Sequence, residues 1–249
     1  VAGTSMGSIM GGAIAASYSY AEIEGYSKLT GEVGVLDYTL PLAALTRSEN
    51  VEKILTEPFG NLQIEDLWIP YFCVSANLTT TEAQVHERGS MWRAIRASMS
   101  IPGVFLPVVE DGEVLVDGGI MDNFPVARMA ARLESPHIIG VLISPFKEKR
   151  RQYDYDTHIS GWRVLLNRLN PFAKKLRLPS TAKTLIWAME VNGRRLSRDQ
   201  EELAALIISP NVRPFSTTDY DKWRELAQVG YDAAIEPLRQ WWAETSPQT

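Results

Sequence analysis

The chain holds a single cysteine, Cys73, among its 249 residues, so no disulfide within it can form. Cys73 stands in the apolar run Tyr71-Phe72-Cys73-Val74 and reads as a small buried hydrophobe rather than a reactive thiol. Its scarcity fits a reducing compartment. Histidine is nearly as scarce: there are three, His86, His137 and His158. Positive charge is not in excess. The formal net charge is −5, which gives no electrostatic footprint for binding nucleic acid. No apolar run approaches the roughly 20 residues that a membrane-spanning helix needs, and no signal-peptide pattern is visible. Internal repeats and low-complexity tracts are absent too. What remains is ordinary for a globular protein, with 45% hydrophobic and 22% charged residues, enough chain for one large α/β domain or two small ones.

Hydrophobic patterning supplies the elements. Small and apolar residues after Gly7 (Ile9, Ala13, Ile14, Ala16) predict a helix suited to close packing on a sheet. Thr46 and Glu49 have capping-box spacing ahead of Val51, Ile54 and Leu55. Tyr71 to Ala76 predicts a strand. Ser90 is placed to cap a helix carrying Trp92, Ile95 and Met99, which Pro102 would end. Val108-Val109 and Val114-Leu115-Val116 flank Asp111-Gly112, a strong hairpin signal. Asn123 is placed to cap a helix through Val126, Met129, Ala130 and Leu133. The run Ile138 to Ile143 predicts a fully buried strand. A helix through Leu185, Ile186 and Met189, a last strand at Ala205 to Ile208 and a terminal helix from Asp219 to Trp242 follow. Helices alternating with buried strands imply an α/β fold with a largely parallel sheet, to which the hairpin adds an antiparallel element.

Two motifs carry chemistry. Gly3-Thr4-Ser5-Met6-Gly7 matches G-x-S-x-G, a turn that lifts a serine onto a sharp strand-to-helix corner. A serine hydroxyl needs a base. The order Ser5, Asp117, then His137 or His158 would suit a Ser-His-Asp triad. Against it, His137 precedes the apolar strand and so lies at its N-terminal end. Sites in parallel sheets open at the carboxyl ends. His158 has no motif around it. The second motif, Val116-Asp117-Gly118-Gly119, ends a hairpin strand in an aspartate followed by two glycines. On its own it is equally a turn carboxylate capping nearby N–H groups.

Together these motifs resemble the patatin-like phospholipase family. The likeness runs along nearly the whole chain and is greatest to the neuropathy target esterase type of branch. It is carried by Gln63-Ile64-Glu65-Asp66-Leu67-Trp68-Ile69-Pro70-Tyr71-Phe72, Gly89-Ser90-Met91-Trp92-Arg93, Arg96-Ala97-Ser98-Met99-Ser100, Asp122-Asn123-Phe124-Pro125 and the late run Ser216 to Gly230. The resemblance implies a three-layer α/β sandwich with a mostly parallel central sheet flanked by helices. Residues 1–249 would form one catalytic domain with a basic insertion at about 147–183. It implies a dyad of Ser5 as nucleophile and Asp117 as base, with motif glycines Gly3, Gly7, Gly118 and Gly119. It also implies phospholipid or lysophospholipid acyl esters as substrates, and no metal or organic cofactor. The first strand and the glycine-rich loop that supplies the oxyanion hole in such proteins precede the serine, and Val1-Ala2 reads as a strand stump. The natural N-terminus is therefore expected upstream, together with any targeting signal. Without that strand, apolar surface at Ile9, Ala13 or Ile138 to Ile143 is expected to be exposed. A catalytically inactive lipid-binding or regulatory relative is the second function class. Met6, Ile9, Met10, Ile101, Phe105, Ile120, Met121 and Phe124 are candidate walls of an apolar acyl cleft.

The stretch from Lys147 to Lys183 mixes Lys149, Arg150, Arg151, Arg163, Arg168, Lys174, Lys175 and Arg177 with Trp162, Leu165, Leu166, Leu169 and Phe172. It reads either as a solvated surface insertion or as a peripheral contact with an anionic membrane. The protein is expected in the cytoplasm or peripherally on the cytoplasmic face of a membrane.

Overall fold

The computed structural model describes residues 1–38, 44–133, 137–143, 153–155, 157–215 and 219–246. Lys147, Lys149, Arg150 and Arg151 of the basic stretch, and the start of the late run at Ser216, lie outside the described residues.

Strand β1 (Ala2–Thr4) passes into helix α1 (Met6–Ala15) through Ser5 alone. Helix α1 is made of small residues because it lies close to its neighbours. Gly11, Gly12, Ala13 and Ala15 are buried, and a side chain at Gly12 would strike the ends of Met91 and Ile95. Helix α2 (Tyr20–Val33) opens on a capping box between Ser19 and Glu22.

Helix α3 (Glu49–Phe59) departs from the expected cap. It starts after Ser48, whose backbone is left-handed at φ 69°. The cap is Asp37, whose carboxylate accepts from the N–H groups of Ser48, Glu49 and Asn50 at 3.0, 2.9 and 3.4 Å. Thr46 is buried instead, and its hydroxyl donates to the Val104 carbonyl. Desolvation works against the Asp37 charge, but these backbone bonds outweigh it and hold its carboxyl below the usual range. Asp37→Ala is expected to lower unfolding free energy by about 1–2 kcal/mol, read as a shifted urea midpoint with unchanged slope.

Strand β2 (Phe72–Asn77) is buried along its whole length. Strand β3 (Glu82–His86) runs antiparallel along one of its edges. The other edge is divided between two strands. β1 pairs in parallel with Phe72 to Val74, and β5 (Glu113–Asp117) pairs antiparallel with Ser75 to Asn77. β5 also forms the expected hairpin with β4 (Val108–Glu110). Its Asp111-Gly112 turn has both φ angles positive, at 49° and 81°, as a type I′ turn requires.

Helices α1, α3 and α4 (Met91–Ser98) cover one face of this mixed sheet. Val51, Leu55, Phe59, Met91 and Ile95 form the main core with Tyr71 and Cys73. Burial pushes the Cys73 thiol up to about 12, in keeping with an inert core residue. Ser90 holds the N-cap position of α4 but makes no side-chain cap bond.

Strand β6 (Ile139–Val141) pairs in parallel with β7 (Leu206–Ile208) in a second, two-stranded sheet. The run Ile138 to Ile143 is therefore not the fully buried strand its composition predicts. The strand is shorter, and Ile139, Val141 and Ile143 are exposed while Ile138 and Gly140 are buried. Of the apolar surface expected to be exposed, this run shows it, whereas Ala13 is buried and Ile9 is half-buried against the core. Helix α5 (Val126–Ala130) follows Pro125, not Asn123, at its N-cap position. Helices α6 (Gly161–Leu169), α7 (Thr181–Arg198) and α8 (Trp223–Thr245) complete the chain, with α8 packed on β7.

Candidate active site

The division of one β2 edge builds the site. β1 ends with Thr4 opposite Val74, and β5 ends with Asp117 opposite Ser75. Two strands running in opposite senses thus meet end to end at consecutive positions of β2. Ser5 and Asp117, 112 residues apart in sequence, become neighbours there. The approach is too close for side chains at the glycines. A Cβ on Gly118 would overlap the Val74 carbonyl and crowd Thr4, and one on Gly3 would overlap the Gly7 carbonyl.

Ser5 has φ 54° and ψ −126°, a sparsely populated conformation for a residue with a side chain. Neighbouring bonds hold it. Its N–H donates to Ser98 Oγ at 2.9 Å, and Ser98 Oγ donates to the Val74 carbonyl at 2.7 Å. Its carbonyl accepts from the hydroxyl of Ser8 at 2.6 Å and the N–H of Ser8 at 2.9 Å. The result is a serine oxygen at the N-terminus of α1, where backbone N–H groups lack intrahelical acceptors.

Ser5 Oγ donates to Asp117 Oδ2 at 2.6 Å. The other oxygen, Oδ1, accepts from the Gly119 N–H at 2.7 Å. The Asp117 N–H is tied to the Ser100 carbonyl at 3.0 Å. Asp117 is only 2% exposed. Desolvation raises its pKa to about 6, although the bonds from Ser5 and Gly119 pull the other way. A carboxylate so placed is a stronger base than an exposed aspartate and is still ionised at neutral pH.

The histidines lie elsewhere. His86 is buried with Nε2 at 2.8 Å from Ser75 Oγ, and burial lowers its pKa to about 4. His137 is exposed with its ring edge-on to Trp241, and His158 is exposed beside Thr157.

The proposed cleft residues do not form one set. Met6 and Met10 are exposed on α1, and Ile120 and Met121 are half-buried next to the Asp117 turn. Ile9 and Ile101 are half-buried against the main core, in which Phe105 is itself buried. Phe124 is buried in the second core with Val126 and Ile138.

Other residues support the site without a motif of their own. Arg96 donates to Ser100 Oγ at 2.6 Å and to the Leu106 carbonyl at 3.0 Å. The Ser98-Met99-Ser100 stretch thus touches both Ser5 and Asp117. Thr4 Oγ1 donates to the Asp122 carbonyl, and the Asp122 carboxylate takes bonds from Arg128 and Gln200. Asn192 of α7 donates to the Ile120 carbonyl. Arg96, Ser98, Ser100 and Asp122 were signalled only by their place inside the runs that resemble a family, whereas Arg128, Asn192 and Gln200 lie outside those runs and carried no sequence signal.

A mixed α/β sheet that brings a serine elbow against an aspartate–glycine–glycine turn has the architecture of a patatin-like domain. The patatin-like phospholipase pattern matches residues 1–130, and the chain belongs to that family. Among curated proteins it is 35% identical over 240 residues to "Lysophospholipase NTE1" of Kluyveromyces lactis, covering 93% of this chain and 16% of that protein. The protein of that name from Candida albicans is 34% identical over 250 residues, with 97% and 18% covered. The one from Saccharomyces cerevisiae is 32% identical over 241 residues, with 93% and 14% covered. The chain thus spans less than one fifth of the length of these relatives. Among the described residues no helix is long and apolar enough to cross a membrane.

Proposed function

We propose that the chain is the catalytic domain of a lipid acyl hydrolase, acting on phospholipid or lysophospholipid esters with Ser5 and Asp117 as a catalytic dyad. The observation that carries this reading is the 2.6 Å bond from Ser5 Oγ to a buried carboxylate. Family membership and relatives named lysophospholipase support the substrate class. A peripheral position on the cytoplasmic face of a membrane would bring such a domain to these substrates.

Asp117 Oδ2 takes the hydroxyl proton as Ser5 Oγ attacks the ester carbonyl carbon. The proton then passes to the leaving alcohol oxygen as the carbon–oxygen bond breaks, leaving an acyl-enzyme on Ser5. Asp117, ionised again, draws a proton from water, whose oxygen attacks the acyl carbon. Collapse returns the proton to Ser5 and releases the fatty acid. The tetrahedral oxyanion needs preorganised donors, for which the Met6 N–H at the start of α1 is one candidate. The glycine-rich loop implied by the family resemblance would supply the rest. Met6, Met10, Ile120 and Met121 are the residues best placed to meet the acyl chain near the reacting atoms.

The test is a series of esters of increasing acyl length, assayed on this chain and on any natural N-terminally extended form of it. Specificity is expected to rise from acetyl toward long acyl groups, since each buried CH₂ contributes up to about 0.8 kcal/mol. Chelator should leave the rate unchanged. A preference for acetyl esters would remove the lipid substrate and leave the hydrolase.

A further inference from the structure

Between Asp156 and Glu190 the sequence has no acidic residue, yet it holds six cations: Arg163, Arg168, Lys174, Lys175, Arg177 and Lys183. The chain as a whole carries −5, so the remainder carries −11 (−5 less +6). This stretch is therefore net positive while the remainder of the chain is net negative. The same stretch contains an apolar stripe that faces solvent. Trp162, Leu165, Leu166 and Leu169 fall at i, i+3, i+4 and i+7 of α6, the spacing of a single helix face. All four are exposed, at 74%, 45%, 64% and 70%, and Phe172 just beyond is 96% exposed. Five large apolar side chains exposed within eleven residues are more than a solvated surface ordinarily carries.

Nor is the patch a frayed tail. The Lys175 ammonium donates to the carbonyls of Asn167, Arg168 and Asn170, closing the C-terminal end of α6. Asn167 bonds to the backbone of Lys174 and Leu176, and Asn170 Oδ1 accepts from the Phe172 N–H. Asp154 accepts from the Arg177 N–H and anchors the base of the hook. Backbone bonding thus fixes a turn on which Phe172, three residues past the end of α6, stands exposed.

We propose that residues 157–178 are a docking element for an anionic lipid bilayer. Trp162, Leu166, Leu169 and Phe172 enter the interface while the basic side chains meet acidic headgroups. An amphipathic helix with cations beside an aromatic and aliphatic face is the form such elements take. A second copy of the chain is a poorer occupant, because two such patches would bring their cations together. The chain also leads from this element into α7, which packs against the Gly118–Ile120 turn through Asn192. Docking would therefore hold the catalytic turn at the surface that carries the substrate. That last step rests on the proposed lipid hydrolase reading; the docking itself does not.

The experiment is co-sedimentation of the whole chain with two kinds of vesicle. One is pure phosphatidylcholine, and the other has about one third of it replaced by phosphatidylserine. Binding is expected to be at least tenfold tighter to the anionic vesicles and to weaken with added salt. Replacing Trp162, Leu166 and Phe172 together by serine should abolish it. Arg163→Gln with Lys174→Gln should lower it about tenfold. Lys175 is left intact because it closes α6. Circular dichroism and thermal melting of each variant must match the parent, which they should, since these side chains are exposed. Equal binding to both vesicles, no binding at all, or full binding by the serine variant would overturn the proposal. So would a stable dimer that the serine variant dissolves. Hydrolysis of a short water-soluble ester separates the two readings. If it persists while vesicle binding fails, the docking element falls and the hydrolase stands, whereas vesicle binding without turnover has the opposite meaning.

Discussion

Ser5→Ala and Asp117→Asn should each lower ester hydrolysis by about ten-thousandfold, and the double variant should be little worse than either alone. The magnitude is that of removing a nucleophile or its base from a unit in which neither works alone. The geometry gives the reason. Asp117 Oδ2 is the acceptor of the Ser5 hydroxyl, while Oδ1 is held by the Gly119 N–H. An asparagine keeps the shape but cannot take a proton. In the parent, activity should rise with pH through about 6, as Asp117 loses its proton. His137→Gln and His158→Gln should leave kcat/KM unchanged, since those residues are exposed and bonded elsewhere. A fluorophosphonate probe offers a separate readout: it should label the parent and fail to label Ser5→Ala. Loss of activity in either histidine variant would restore a triad and remove the dyad.

Ser5 and Asp117, the residues of the proposed dyad, could be singled out in the sequence because each sits in a short motif whose glycines have a steric purpose. Gly3 and Gly118 are where any side chain would collide with backbone. The hairpin around Asp111-Gly112 was legible for the same kind of reason, since both of those residues must take positive φ. What joins the motifs was not legible. The end-to-end meeting of β1 and β5 on β2 depends on pairings across tens of residues, and no local pattern encodes them. Long-range substitution also explains the missed cap, where Asp37 reaches a helix start that local spacing assigns to Thr46. Burial of the Ile138 to Ile143 run was overestimated because a continuous apolar run reads as covered on both faces. In the structure it belongs to a two-stranded sheet with Ile139 and Val141 turned outward. Helix α6 was not among the elements expected from the sequence, although its i, i+3, i+4, i+7 stripe was present. The interleaved charges and the flanking Asn170-Pro171 masked it.

The burial of Asp117 beside Ser5 should be measurable as a cost in stability, and Asp117→Asn should be more stable than the parent at pH 7. Asp117 has its folded pKa raised from 3.8 to about 6 by burial. Its contribution is therefore fully present below 3.8 and is lost as pH rises through about 6, a change of roughly 3 kcal/mol at about 1.4 kcal/mol per pKa unit. His86 behaves in the opposite way. Burial lowers its pKa from 6.5 to about 4, so its contribution is present above 6.5 and is lost as pH falls through about 4. That change is also roughly 3 kcal/mol. Between pH 4 and 6.5 the two slopes oppose each other in the parent. The other perturbed carboxylates, such as Asp37 with its lowered pKa, are the same in parent and variant. The difference between the two stability curves therefore isolates residue 117. In Asp117→Asn the His86 slope is no longer offset, and the variant should lose stability steeply on acidification across that window. Its advantage of up to about 3 kcal/mol at pH 7 should shrink to nothing near pH 4. Urea unfolding of both proteins at half-unit steps of pH measures this directly. A difference that stays constant with pH would mean that Asp117 is not desolvated in the folded protein. The explanation of its strength as a base would fail with it.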